Sequence, residues 1–285
     1  MWVDRQGREE LIDVRPRPYA WVRISPAGMQ LAMEVQEAGS NVWVYDLERG
    51  TEAPLTLGLE RNLSPLWTTD GVRIVWRSGS ELVWKAADGT GAVETLAPSN
   101  LIPFAWSADG STLVTNTASG TADIMTVAVE GDHRVEPLLV TEFGEFRPAV
   151  SPDGRWMAYS SNESGQTEIY VRPFPNVNDQ RIPISIGGGI SPVWSPDSRE
   201  LFYRNGDAMM VVSVSADPAF VASTPDVLFR GAYAGGVQGP AGRVYDIAPD
   251  GDRFLMLKDS DEGAGVGIVV ILNWFEELKR LVPTD

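Results

Sequence analysis

The chain holds one histidine, His133, and no cysteine, which narrows the chemistry open to it. A serine nucleophile needs a neighbouring base, normally histidine, and His133 falls in Gly131-Asp132-His133, which has the composition of a hairpin turn. No Gly-x-Ser-x-Gly elbow occurs. Without cysteine there are no thiolate metal sites, disulfides or cysteine nucleophiles, and one histidine cannot supply the histidine cluster of a catalytic metal. Carboxylates remain. The densest local group, Asp259-Ser260-Asp261-Glu262-Gly263, offers oxygen ligands suited to calcium, but Gly263 stands where EF-hand spacing requires Asp or Asn. Five further aspartates, Asp70, Asp109, Asp153, Asp197 and Asp250, recur along the chain and could converge as a charged ring.

Their neighbours assign these five a different task. Each lies in a copy of one short motif, clearest in Val150-Ser151-Pro152-Asp153-Gly154. The others are Ile24-Ser25-Pro26-Ala27-Gly28, Trp67-Thr68-Thr69-Asp70-Gly71, Trp106-Ser107-Ala108-Asp109-Gly110, Trp194-Ser195-Pro196-Asp197-Ser198 and Ile247-Ala248-Pro249-Asp250-Gly251. Proline fixes φ, and Asp-Gly tolerates the left-handed conformation, as a tight turn between two strands requires. Asp side chains in such turns bond to the nearby backbone, so the aspartates read as turn formers. Gly263-Ala264-Gly265-Val266-Gly267 precedes a strand pattern rather than a helix, and so does not read as a nucleotide loop.

The second residues of the copies stand at 25, 68, 107, 151, 195 and 248, a period of the four-stranded propeller-blade kind. The expected fold is all-β: a six-bladed β-propeller of four-stranded antiparallel blades, one domain over 1–285. Blades are placed at about 19–57, 62–98, 101–140, 145–186, 189–230 and 243–273, with a short C-terminal helix at about 274–281 opened by the capping-box spacing of Asn273 to Glu276. Blade six reads as 244–247, 253–257 and 268–272 and lacks a local outer strand. The N-terminal segment 1–12 is expected to close the ring there, since an open array would leave unpaired strand edges. That segment carries two strand patterns where one is needed, so either one is spare or Met1 is an internal start in a longer protein. Pro65, Pro103, Pro148 and Pro192 fall in the strand before a motif, which marks it as the innermost, edge strand of its blade. Tryptophans in two-sided apolar runs such as Ile74-Val75-Trp76 are assigned to the core.

The formal net charge of −16 argues against a nucleic-acid surface. No apolar run is long enough to span a bilayer, and the first residues lack a signal peptide's basic and apolar regions. A monomer is expected.

Six Ser-Pro-Asp-Gly-type repeats at this spacing resemble the TolB-type propeller, a relative of the WD-repeat propellers. The segments Trp2 to Glu9, Tyr159 to Gly165, Glu168 to Pro175 and Asn273 to Leu278 resemble, more specifically, the C-terminal propeller region of bacterial membrane-anchored serine/threonine kinases. The kinase resemblance implies a sensor or interaction module outside the cytoplasmic membrane, and the TolB resemblance implies docking of protein partners in the periplasm. The kinase's own signatures, a His-Arg-Asp catalytic loop and an Asp-Phe-Gly, are absent, so no kinase activity follows.

Function in a propeller belongs to loops on a rigid scaffold. The face where inner strands begin and middle hairpins end is expected to gather Arg17, Arg61, Asn62, Phe143, Glu145, Arg147, Asn162, Glu163, Gln238 and Arg243. Mixed Arg, Asn, Glu and aromatic side chains suit a peptide or polar ligand. The expectation is a non-catalytic binding module for a protein or peptide at the channel mouth, without cofactor. The alternative is a propeller hydrolase or lyase using channel carboxylates, which could hold calcium.

Overall fold

The computed structural model describes residues 1–98, 100–216, 219–234 and 243–258. They form six antiparallel sheets arranged as the blades of a closed propeller. Blade one orders its strands from the axis outward as Tyr19–Ile24, Gln30–Gln36, Ser40–Asp46 and Thr51–Pro54. Blade two repeats this with Asn62–Trp67, Arg73–Ser78, Glu81–Ala86 and Glu94–Ala97, and blade three with Leu101–Trp106, Thr112–Thr117, Ile124–Ala128 and Val135–Leu139. Blade four has Glu145–Val150, Trp156–Ser161, Glu168–Pro173 and Ile182–Pro183. In blade five, Ile190–Trp194, Glu200–Asn205 and Ala208–Ser215 are followed by Val221–Ala222 and Asp226–Arg230, both paired to the third strand.

Blade six joins the two ends of the sequence, in the order Tyr245–Ile247, Arg253–Met256, Trp2–Asp4, Glu9–Glu10. The single closing strand expected at the N-terminus is thus two strands: Trp2–Asp4 pairs with Arg253–Met256 as the third, and Glu9–Glu10 is the fourth. Neither pattern is spare, because an outer strand alone could not reach Arg253–Met256. The strand expected at 268–272, the helix at 274–281, the calcium candidate at 259–263, the glycine run at 263–267 and Gln238 lie outside the described residues.

Burial explains why the ring holds. Buried apolar side chains divide into six clusters, one between each pair of neighbouring blades. The pair that closes the ring is included, where Val22 and Leu31 of blade one meet Leu255 of blade six. Inner strands add polar staples: the indole N–H of Trp67 donates to the carbonyl of Arg23, that of Trp106 to Trp67 and that of Trp194 to Ala149, at 3.3, 2.7 and 3.0 Å. The prolines mark a further device. Ser64, Arg147 and Ser191, each just before an inner-strand proline, adopt φ of 60°, 52° and 57° at a bulge in the ladder. Their amides turn toward the preceding blade and donate to Glu34, Asn116 and Ser160 respectively.

Candidate functional site

The motif turns lie at one mouth of the channel, and their aspartates are spent there on turn chemistry. Asp109 accepts from the Ser107 hydroxyl at 2.6 Å and from the amide and hydroxyl of Ser111. Asp70, Asp153 and Asp197 repeat this with Thr68, Ser151 and Ser195. These bonds hold the Asp109 carboxyl down to about 2. The five aspartates form no reactive ring, as their sequence context implies. His133, half-buried and with φ 52°, follows the exposed turn at Gly131-Asp132, its Nδ1 3.3 Å from the Ala128 carbonyl oxygen.

The antiparallel topology puts the opposite mouth where outer strands lead into the next inner strand and where second strands turn into third. Arg17, Arg61, Asn62, Phe143, Glu145, Arg147, Asn162 and Glu163 all fall on this face, but several are held by their own scaffold. Arg17 stacks on Trp43, 4.0 Å from the ring centre, and pairs with Glu52 at 3.1 Å. Asn62 is buried and accepts from the Trp76 indole at 2.9 Å. Glu163 is bound by Arg181 at 2.6 Å. Asn162 accepts from the Gly144 amide, tying two loops together, and Arg61 is exposed. Glu145 is buried beneath the Thr141 hydroxyl, and burial raises its carboxyl above the ordinary value.

Arg147 borders an open pocket of about 190 Å³ between blades three and four, where Ile102, Phe104 and Phe146 make an apolar floor and Asn116 a polar wall. The same face carries what residue-type reasoning passed over. Leu11, Leu57, Leu59, Phe143 and Ile186, all in blade-to-blade connections, are between 36% and 94% exposed. Only Phe143 was singled out from sequence, though apolar residues inside Gly- and Pro-rich connections were a readable signal.

Arg243 departs from the expected face. Its side chain is buried in the axial channel, a cavity of about 280 Å³ bordered by the residue two places before the second position of every motif: Arg23, Leu66, Ala105, Ala149, Val193 and Asp246. Four of these are apolar; the charges are Arg23 and Asp246. Burial, and then the neighbouring Arg243, push the Arg23 guanidinium well below its ordinary value, with Asp246 opposing. Counting back from each motif would have located this ring.

No family model matches the chain. Among solved structures, it superimposes on a TolB-type protein from Agrobacterium tumefaciens with a TM-score of 0.69 at 16% identity, over 90% of this chain and 97% of that one. An oligogalacturonate lyase in complex with manganese gives a TM-score of 0.59 at 12% identity, over 87% and 72%. Among curated proteins, an uncharacterized peptidase, YuxL of Bacillus subtilis, is 23% identical over 175 residues, which are 47% of this chain and 27% of that protein's length. At these identities the likeness is one of fold, shared by proteins of different activities. The chain is, by topology, a six-bladed β-propeller, similar in fold to TolB-type proteins.

Proposed function

We propose that the chain is a binding module whose connection-bearing face docks an extended segment of a partner protein. The observation that carries this is that Leu11, Leu57, Leu59, Phe143 and Ile186, in four blade-to-blade connections, are exposed on one face, leaving apolar side chains for a partner to cover. The pocket floored by Ile102, Phe104 and Phe146 lies on the same face and has room for one apolar side chain of such a segment. The likeness to TolB supports the reading, as does the resemblance to kinase propellers, which would make the chain an extracytoplasmic, periplasmic sensor. A channel hydrolase or lyase is less well served. Among the described residues the channel's one carboxylate is Asp246, flanked by two arginines, and no second carboxylate stands there as acid or base partner.

Selection of a displayed random-peptide library on the full chain tests the reading. Enriched peptides are expected to bind the wild type and to lose about tenfold or more in affinity on the double variant Leu59→Asp, Ile186→Asp. Met29→Asp and Val72→Asp, on the opposite face, should leave binding unchanged. Failure to enrich any peptide, or equal binding to both variant sets, would overturn it.

A further inference from the structure

The axial channel holds a charge imbalance that the docking face does not use. Arg23 and Arg243 are 4% and 7% exposed, and between them stands one carboxylate. Asp246 Oδ1 lies 4.0 Å from Arg23 Nη1 and 3.5 Å from Arg243 Nη1, both long for hydrogen bonds. Its hydrogen-bonding capacity goes instead to the backbone, accepting from the amides of Ile24 at 3.0 Å and Ile247 at 3.1 Å. Each guanidinium carries five N–H donors. Among the described residues Arg23 donates to the Phe104 carbonyl at 2.5 Å and Arg243 to the Pro192 carbonyl at 3.3 Å. The buried Nε of Arg23 has no acceptor among the described residues.

Two cations and one anion leave one positive charge in a cavity whose other ring positions are Leu66, Ala105, Ala149 and Val193. Such walls offer no counter-charge, and a buried charge is costly unless paired. A guanidinium presents parallel N–H groups spaced to meet two oxygens of one anion, and about 280 Å³ admits an anion of a few heavy atoms. We infer that the channel binds a small oxyanion, a phosphate or a carboxylate, gripped between Arg23 and Arg243, with Asp246 as a competing negative charge beside them. The site is distinct from the docking face, and either can fail without the other.

Calorimetric titration of the full chain with inorganic phosphate, and separately with acetate, at ionic strength fixed by chloride, tests this. Indole fluorescence gives a second readout, because Trp106 and Trp194 border the cavity. Saturable binding of at least one anion is expected, and which one binds identifies the oxyanion. Arg243→Gln should weaken it about tenfold or more by removing a buried charged donor. Asp246→Asn should tighten it severalfold by removing the competing negative charge. If Arg243→Gln does not fold, as judged by circular dichroism, Asp246→Asn decides. No saturable binding of either anion to the wild type, or affinities unchanged in the folded variants, would overturn the inference.

Discussion

At the scale of single residues, the repeat is a turn with a defined bonding pattern, and its glycine is the position least free to change. Gly154 has φ +72°, and a methyl group added there would stand 2.9 Å from the Ala108 Cβ of the preceding blade's turn. Gly154→Ala therefore combines left-handed backbone strain with a clash, and a loss of about 1–3 kcal/mol is expected, read as a lower denaturant midpoint with unchanged slope. Ser198 shows how the motif tolerates a departure: it takes φ 61°, and its hydroxyl accepts from the Asp153 amide at 3.1 Å. The turn aspartates were legible because they bond to residues two or three places away in sequence. The tryptophans were legible as core, but not as staples, since the carbonyls that Trp67, Trp106 and Trp194 reach belong to the neighbouring blade.

At the scale of elements, closure rests on a two-plus-two arrangement. Met1 to Glu10 contribute both outer strands of blade six, and Val3 is wholly buried in the cluster that also holds Phe202 and Phe254. Deleting residues 1–12 exposes the edge of Arg253–Met256 and opens that cluster. The melting temperature should fall by several degrees or more, with aggregation through the freed strand edge; an unchanged melt would refute this closure. The inner strands were recognisable by their prolines. Their bulges were not, because a left-handed Ser64, Arg147 or Ser191 is maintained by acceptors on the preceding blade.

At the scale of the whole molecule, the six turns and six apolar interfaces make one closed cooperative unit, and its pH response is set by two opposed groups of carboxylates. Asp70, Asp109 and Asp197 are lowered, first by the hydroxyls of Thr68, Ser107 and Ser195. A carboxylate depressed in the folded state contributes stability that is present above its unfolded value, near 3.8, and lost as pH falls, for Asp109 toward about 2. Glu34 and Glu145 are raised by burial, so folding favours their protonated forms and stability declines as pH rises through their folded values. The melting temperature should therefore peak at mildly acidic pH and fall by several degrees between about pH 4 and 2. Asp109→Asn should flatten part of the acid-side fall, and scanning calorimetry across pH reads both limbs.

Period, turn chemistry and blade count were legible in the chain, because each depends on residues within one repeat: Pro and Gly act through their own φ, and the motif aspartates through neighbours two places away. The closure of blade six by the N-terminal segment was legible too, but its two-strand form and the channel's charge triad were not. Asp246 binds the amide of Ile24, 222 residues away in sequence, and the neighbours Arg243 and Asp246, three residues apart, meet Arg23 only because the ring closes. A periodic sequence states what every blade is, but which unlike side chains face one another across the axis is decided when the last blade takes its outer strands from the first residues of the chain.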